Sequence, residues 1–416
     1  MNLRRHLTRV CLAVGSASSF LIGQSAIAQT PVMPAQPLPA VVQVNYESSF
    51  CEPCASVPQC DPCCTAAAGC ELGDPWTLSE FLMGSESAIT VGGWLSAGYH
   101  SDDNGLFNQH ADRFHAHQAW LYIEKAADTE TKDVDLGFRV DTMYGVDAGD
   151  TQAFGNNAGE WDFQNGFDHG IYGWALPQAY VEIAGSDVAI KAGHFYTLVG
   201  YEVVTAPDNF FYSHAMTMFN SEPFTHTGVL ATLSLLEGLE GYAGWTLGWD
   251  TGFDQLGDGN SFLGGFSATL SDDITLTYIL TAGDFGWRGS DGYSHSVVVD
   301  TTLTENLNYV LQSDSLRVAS TGEDNIGINQ YLFYTVNDCF SVGTRLEWWK
   351  ADNVLAFAPF NANLPATGSF SYYAATFGAN VKPGANLTVR PEVRHNWSPA
   401  ADYDETVFGI DAVVTF

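Results

Sequence analysis

VFGIDAVVTF, residues Val407–Phe416, ends the sequence and alternates with a period of two, the period of a β-strand. Its bulky apolar side chains share one face of such a strand: Phe408, Ile410, Ala412, Val414 and Phe416. The other face carries Val407, Gly409, Asp411, Val413 and Thr415. A soluble sheet must cover an apolar face with a second layer, whereas a closed barrel in a bilayer can turn it toward hydrocarbon. The stretch therefore predicts a transmembrane strand.

The composition agrees with a large all-β membrane protein. Of the 416 residues, 46% are hydrophobic, and no uninterrupted apolar run after the leader reaches the length of about 18 that a spanning helix needs. The 41 glycines and the 13% aromatic content suit tight turns and an aromatic girdle at the membrane interface. The net charge of −33 comes from 48 acidic and 15 basic residues, and it excludes nucleic acid as a partner.

Residues Met1–Ala28 predict a secretory signal peptide. Arg4, Arg5 and Arg9 form the basic start, an apolar core follows over residues 10–22, and Ala26-Ile27-Ala28 is a small-x-small cleavage site. We therefore expect an exported protein.

The exported N-terminal segment, residues 29–73, is first rich in Pro, Ala and Gln and then rich in cysteine. Six cysteines fall within twenty residues: Cys51, Cys54, Cys60, Cys63, Cys64 and Cys70. Only five residues separate Cys54 from Cys60 and no histidine is near, which disfavours zinc. An oxidising compartment favours disulfides, either inside the segment or to another chain. A metal site and unpaired thiols remain the alternatives.

Residues 74–88 predict a short helix and a linker. Asp74 is a candidate N-cap and Pro75 a first-turn proline, ahead of the apolar Trp76, Leu78 and Phe81. We expect this amphipathic helix to dock at the periplasmic end of the barrel.

Residues 89–416 predict about 16 antiparallel strands that form an outer-membrane β-barrel. Ile274, Leu276, Tyr278 and Leu280 alternate with threonines, and residues 242–249 put Trp245 and Trp249 on one face. Tight turns are predicted at residues 185–187, 271–273, 337–339 and 382–384. Long polar connectors lie between them, at residues 145–175, 196–224, 250–260, 284–292 and 351–368. Short periplasmic turns that alternate with long external loops are typical of outer-membrane barrels.

Charged residues recur on the predicted inner faces of the strands. The candidate pore-lining residues are Arg139, Asp141, Lys191, Arg345, Glu347, Arg390, Glu392, Arg394 and Asp411, with Asp135, Glu124 and Glu182 on the same faces. Residues two apart on a strand are neighbours on one side, so these side chains form ladders of paired charge. They either filter solutes or brace the barrel by salt bridges.

The connector at residues 196–224, which follows the fifth predicted strand, is unusually aromatic. It carries the acids Glu202, Asp208 and Glu222. General porins fold a constriction loop into the lumen at this place. Acids on such a loop that face bases on the wall would select solutes by charge. An outward surface flap is the alternative.

Several segments resemble the OmpL-like β-barrel porins of bacterial outer membranes. They are GHFYTLVGYE at 193–202, APDNFFY at 206–212, EPFTHTG at 222–228, QAWLYIEK at 118–125 and RLEWW at 345–349. The resemblance covers most of residues 89–416 and implies passive transport without a defined solute. In outer-membrane barrels a C-terminal Phe is part of the assembly signal, which implies the barrel assembly machinery as a partner of Phe416. Many porins are trimers.

Other kinds of site have weak support. Asp250, Asp254 and Asp258 lack the spacing of an EF-hand, and His115 and His117 share a strand face that more often gives plain polar lining than a metal site. Neither His-Glu-x-x-His nor Gly-x-Ser-x-Gly occurs, so we expect neither an enzyme nor a cofactor.

The sequence thus predicts an outer-membrane porin for small hydrophilic solutes or ions, and its acidic excess predicts a preference for cations. The expected partners are outer-membrane lipid, the assembly machinery, the solutes and further copies of the chain. One alternative is a structural or adhesive barrel that is cross-linked through its N-terminal cysteines. A barrel enzyme is a weaker one.

Overall fold

The computed structural model describes residues 70–84, 87–104, 107–255, 257–353 and 368–416, which all belong to one compact unit. The predicted signal peptide, the proline-rich segment and five of the candidate disulfide cysteines (Cys51, Cys54, Cys60, Cys63 and Cys64) lie outside the described residues. No helix in the described ranges has the length and apolarity needed to cross a membrane.

Sixteen antiparallel strands form a closed barrel, which confirms the predicted fold class. In chain order they are β1 Thr90–His100, β2 Phe114–Lys125, β3 Val134–Gly145, β4 Gly173–Gly185, β5 Val188–Tyr196, β6 Thr225–Leu236, β7 Leu239–Thr246, β8 Asn260–Ser271, β9 Ile274–Asp284, β10 Gly292–Thr304, β11 Leu307–Val318, β12 Glu323–Asn337, β13 Phe340–Asp352, β14 Ser369–Gly384, β15 Leu387–Ser398 and β16 Tyr403–Thr415. Each strand pairs with the next in sequence, and β16 pairs with β1. None of these sixteen described strands is left with a free edge.

Within the described ranges, three short α-helices lie outside the strands: α1 Leu78–Met83, α2 Ala148–Thr151 and α3 Met216–Ser221. Three 3-10 turns accompany them, Ala206–Asp208, Gly286–Arg288 and Pro399–Ala401. The helix α3 and the first 3-10 turn both belong to the connector between β5 and β6.

The period-two pattern separates an apolar outside from a polar inside. On β16, Phe408 is 44% exposed and Val414 39%, whereas Asp411 and Val413 are 2% exposed. Outward Leu136, Val181, Ile183, Leu346, Phe377 and Val393 follow the same rule on other strands. A one-residue slip would exchange these faces and place the charges in lipid, so the register is strongly specified.

The two ends of the barrel differ. The turn end carries the short connectors, such as the one between β8 and β9, and the loop end carries the long ones. Two local predictions are wrong. The turn expected at residues 382–384 is the end of β14, and Trp249 leaves the outer face, because Gly248 with φ +104° redirects the chain after β7. Trp249 is buried and stacks on Phe285 at 4.4 Å between ring centroids.

A disulfide joins Cys70 to Cys339, which lies in the turn between β12 and β13. The two residues are 269 positions apart in sequence, and their Cα atoms are 5.8 Å apart. The N-terminal segment is therefore covalently attached to the turn end of the barrel. The cysteine spacing gives no indication of this partner.

The segment after Cys70 also lies along the turn end. The Trp76 amide donates to Asn386 Oδ1 at 2.7 Å, and Asn386 Nδ2 donates to the Trp76 carbonyl at 2.7 Å. These bonds hold Trp76 outside the helix, so the predicted cap at Asp74 is wrong. Thr77 is the N-cap instead, because its side chain accepts from the Glu80 amide.

Candidate functional site

The connector between β5 and β6, residues 197–224, folds into the barrel and is called the lumen loop below. Its backbone contacts side chains on the inner wall. The Ala206 carbonyl accepts from Arg390 at 2.6 Å, and the Met216 amide donates to Glu347 at 2.7 Å. The loop therefore lies against the wall formed by β12–β16 and β1, which we call the covered wall.

Glycines on the covered wall receive the side chains of the lumen loop. A Cβ atom at Gly343 would lie 2.6 Å from Phe210, and one at Gly378 would lie 3.1 Å from Phe211. A Cβ at Gly98 or at Gly409 would lie 2.9 Å from Tyr212, and one at Gly327 would overlap Thr217. Larger residues at these positions would push the loop away from the wall.

Arg345 joins the lumen loop to the wall at the centre of this contact. It donates to Glu202 at 2.6 Å, to the Ser213 carbonyl at 2.7 Å and to Glu347 at 2.7 Å, and its side chain is fully buried. Burial alone would raise the pKa of Glu202, but Arg345 and the hydrogen bonds lower that pKa from 4.5 to about 2. Both groups are therefore charged in the folded protein.

Arg390 and Arg394 bind the loop in the same way. Arg390 donates to Asp411 at 2.6 Å and also to the carbonyls of Ala206 and Asn209. Arg394 lies 3.1 Å from Glu347 and donates to the His214 carbonyl at 2.8 Å. Glu392 accepts from the backbone amides of Tyr212 and Ser213 at 2.9 and 3.1 Å. Arg390 and Arg394 are therefore paired with carboxylates and hydrogen-bonded to the loop, and Glu392 is hydrogen-bonded by loop amides.

The inner faces of β2–β5 near the turn end are called the open wall below, and their charges are partly exposed except for the buried Asp141. Arg139 contacts Glu124 at 3.2 Å and Asp141 at 2.7 Å, and the Arg139 and Glu124 side chains are 21% and 31% exposed. The Arg139 guanidinium lies 4.4 Å from the Tyr122 ring centroid. Lys191 lies opposite Glu182 in register and 4.3 Å from the Tyr180 ring centroid.

Asp208, in the 3-10 turn of the lumen loop, is exposed. Its carboxylate accepts from the Thr205 hydroxyl at 2.5 Å. Although its side chain reaches solvent, the surrounding protein inside the barrel removes part of its hydration and raises its pKa, and the hydrogen bond to Thr205 and the charges of Arg139 and Arg390 oppose that effect. Of the three predicted loop acids, Asp208 therefore keeps solvent access and Glu202 does not.

Comparison with known proteins shows which family has this arrangement. The profile of the family described as "Putative beta-barrel porin-2, OmpL-like" matches residues 88–416. The chain belongs to this family. As a member it is an outer-membrane protein of the porin type, with its lumen loop after the fifth strand. No curated protein sequence matches it significantly.

Porins of known structure share the fold of this family member at low sequence identity. The trimer form of OmpT from Vibrio cholerae is 12% identical, with a TM-score of 0.53 over 79% of this chain and 99% of that one. The channel DcaP from Acinetobacter baumannii is 11% identical, with a TM-score of 0.54 over 79% and 97%. An anion-selective porin from Comamonas acidovorans is 11% identical, with a TM-score of 0.51 over 79% and 99%.

The remaining predicted loop acid of this porin, Glu222, does not face a wall base. It accepts from Gln312 at 2.7 Å, and the same nitrogen donates to Asp314 at 2.7 Å. Burial and the neighbouring Asp314 raise the pKa of Glu222 well above its usual value. The prediction that the loop acids face wall bases is therefore wrong for Glu222, because the loop turns at α3 and brings this residue onto β11.

The weak metal candidates of the sequence form other contacts. His117 Nδ1 lies 2.7 Å from Asp147, and its Nε2 lies 2.5 Å from the Tyr212 hydroxyl. Asp250 accepts from the backbone amides of Phe224 and Thr225. Within the described ranges, no group of three or more His, Cys, Asp or Glu side chains is placed to hold a metal ion.

Two features of the site are not evident from charge patterns. The buried ion pair of Arg288 with Glu323 joins the loop after β9 to β12 and gives no sequence signal. The wall glycines, by contrast, do give a sequence signal. Gly327, Gly343, Gly378 and Gly409 alternate with outward apolar residues, and glycine inside a strand indicates the close approach of another group.

Proposed function

We propose that this barrel is a diffusion pore for small hydrophilic solutes and that it prefers cations. The observation that supports this is that basic and acidic side chains inside the barrel differ in exposure. Arg345, Arg390 and Arg394 are at most 3% exposed and are bonded to carboxylates or carbonyls, so they contribute little attraction for a passing anion.

The partly exposed charge inside the barrel is mainly acidic. Carboxylates on the inner faces and the lumen loop include Glu124, Glu182, Glu240, Asp300 and Asp208, whereas the partly exposed bases include Arg139 and Lys191. A wet cleft lined by one sign of charge concentrates ions of the opposite sign. We place the constriction between the lumen loop and the open wall, with Asp208 on one side and Arg139 on the other.

Planar-bilayer recordings of the purified protein test this proposal. We expect stepwise channels and, in a KCl gradient, a reversal potential of the sign that indicates K⁺ preference. Protein that is folded but opens no channel would refute the pore, and a reversal potential of the opposite sign would refute cation preference alone. The proposal also assigns no catalytic step to the barrel.

A cross-linked barrel is the second candidate, and the Cys70–Cys339 disulfide favours it. The sequence after the predicted leader has seven cysteines, so pairing these two leaves five: Cys51, Cys54, Cys60, Cys63 and Cys64. An odd number cannot pair completely within one chain. We propose a link to a second copy in a homotrimer, in a membrane to which the assembly machinery delivers the barrel.

Non-reducing electrophoresis of membranes containing the full chain tests this link. We expect a covalent oligomer that reductant converts to monomer, and no such oligomer in a variant with Ser at those five cysteines. Monomer alone in the oxidised wild type would refute the cross-link and leave the pore proposal untouched.

A further inference from the structure

A buried polar cluster lies where α3 of the lumen loop meets β10–β12, and neither the pore nor the cross-link uses it. Its members come from the loop and from three strands: Thr217, Glu222, Ser296, Gln312, Asp314 and Asn329. Each is at most 4% exposed. Two carboxyl groups are thus removed from water in a region made otherwise of neutral polar groups.

The strand register fixes the geometry of the cluster. Ser296 lies directly across from Asp314, and Gln312 lies directly across from Asn329, all on the inner face. Glu222 and Asp314 flank the Gln312 amide nitrogen, each accepting from it at 2.7 Å. Asn329 Nδ2 donates to the Thr217 hydroxyl at 2.6 Å, which ties the loop side of the cluster to the wall.

Three oxygens in the cluster are left unsatisfied. Asp314 Oδ1, Ser296 Oγ and Asn329 Oδ1 are buried and make no hydrogen bond of ordinary geometry, although Ser296 and Asp314 face each other across β10 and β11. Among the ion pairs of the described ranges, the nearby Arg345 and Arg288 bind Glu202 and Glu323 and do not neutralise Glu222 or Asp314. An unsatisfied buried acceptor costs free energy, and two adjacent ionised carboxyl groups would cost more, in agreement with the raised pKa of Glu222.

We propose that this cluster binds one hard divalent cation of the Ca²⁺ type through Glu222, Asp314, Ser296 and Asn329. Carboxylate, hydroxyl and amide oxygens are the ligands that such cations take. Here the neutral oxygens would add to the coordination that the two carboxylates provide. On binding, the ion would displace the proton that the pair holds without it, pair with both carboxylates and fasten α3 to β10–β12. It would therefore hold the lumen loop in place, independently of which solutes pass.

Terbium luminescence of the refolded full-length protein in detergent tests the site, with Tb³⁺ as the probe for Ca²⁺. Trp349 provides the antenna, because its indole donates at 2.9 Å to Ser221, the residue before Glu222. We expect saturable emission that excess Ca²⁺ removes. E222Q and D314N should each weaken binding by at least about ten-fold, because each removes one of the two charged ligands.

The matched control is D254N, which removes an exposed carboxylate from the loop after β7. We expect it to bind Tb³⁺ like the wild type. Folded wild type without saturable emission would overturn the site, as would emission that survives in E222Q and D314N or disappears in D254N.

Thermal unfolding keeps the proposal testable if a variant binds no probe. Ca²⁺ should raise the unfolding midpoint of the wild type, because a ligand that binds only the folded state stabilises it, and should leave the midpoint of E222Q unchanged. If instead the two carboxyl groups share a proton and bind no ion, Ca²⁺ leaves the unfolding midpoint of the wild type unchanged, and E222Q is at least as stable as the wild type. That result would overturn the cation site.

Discussion

The covered wall and the open wall contain the same types of charged residue, but these residues have different surroundings and different roles. On the covered wall, Arg345, Arg390 and Arg394 are buried and bonded to both carboxylates and loop carbonyls. On the open wall, Arg139 and Lys191 keep partial exposure and lie over tyrosine rings. An inward charge in a wide barrel therefore braces the structure or filters ions according to whether a loop covers it.

The cause of the difference is backbone chemistry. A buried guanidinium must find several hydrogen-bond acceptors. Strand carbonyls already accept hydrogen bonds from neighbouring strands, whereas carbonyls of the irregular lumen loop are free to accept from the guanidinium. The wall glycines let this backbone come close enough. The open wall has no such cover, so its charges are satisfied by one another, by aromatic faces and by water.

Arg390→Met should show the largest contrast between the walls. It leaves Asp411 buried without its partner, and breaking a buried ion pair costs about 3–5 kcal/mol. Lys191→Met is the matched substitution on the open wall and should cost about 1 kcal/mol or less. Chemical unfolding in detergent micelles measures both. Equal losses would contradict the division into two walls.

Acid should weaken the covered wall before the barrel itself opens. Because the pKa of Glu202 is lowered from 4.5 to about 2, its contribution is fully present above pH 4.5 and disappears as the pH falls through about 2. The shift corresponds to about 3 kcal/mol. Unfolding midpoints between pH 6 and pH 2 should therefore fall more steeply for the wild type than for E202Q. Parallel curves would contradict the Glu202–Arg345 contact as the cause.

Gly343→Ala should loosen the lumen loop with a smaller loss. The added methyl group meets Phe210 at 2.6 Å, and overpacking of this kind costs about 1–3 kcal/mol. The conductance of single channels should change as the loop moves. Gly149→Ala is the control, since a Cβ there meets nothing within 4 Å. If both variants keep the wild-type unfolding midpoint and the wild-type conductance, Gly343 does not position the lumen loop.

The sequence predicts the fold well because the signals for it are local. The alternation in Val407–Phe416 needs no knowledge of the partner strand, and β16 indeed closes on β1. The contacts of the site depend on the path of the lumen loop, which no strand period encodes. Arg390 and Asp411 are predictable neighbours on adjacent strands, whereas the Glu222 contact with Gln312 and the Cys339 partner of Cys70 depend on where chain segments far apart in sequence meet.

The smallest effect on stability should come from the acids of the open wall, and it should be the most informative about ions. Glu182→Gln removes an incompletely buried charge opposite Lys191, which costs less than about 1 kcal/mol. The K⁺ over Cl⁻ permeability ratio should nevertheless fall toward one, because a partly exposed carboxylate acts on passing ions and a buried one does not. Asp272→Asn, in the short turn between β8 and β9, removes the same charge outside the lumen and should leave the ratio unchanged. A ratio that falls equally in both variants would assign the preference to the overall charge of the protein rather than to the open wall.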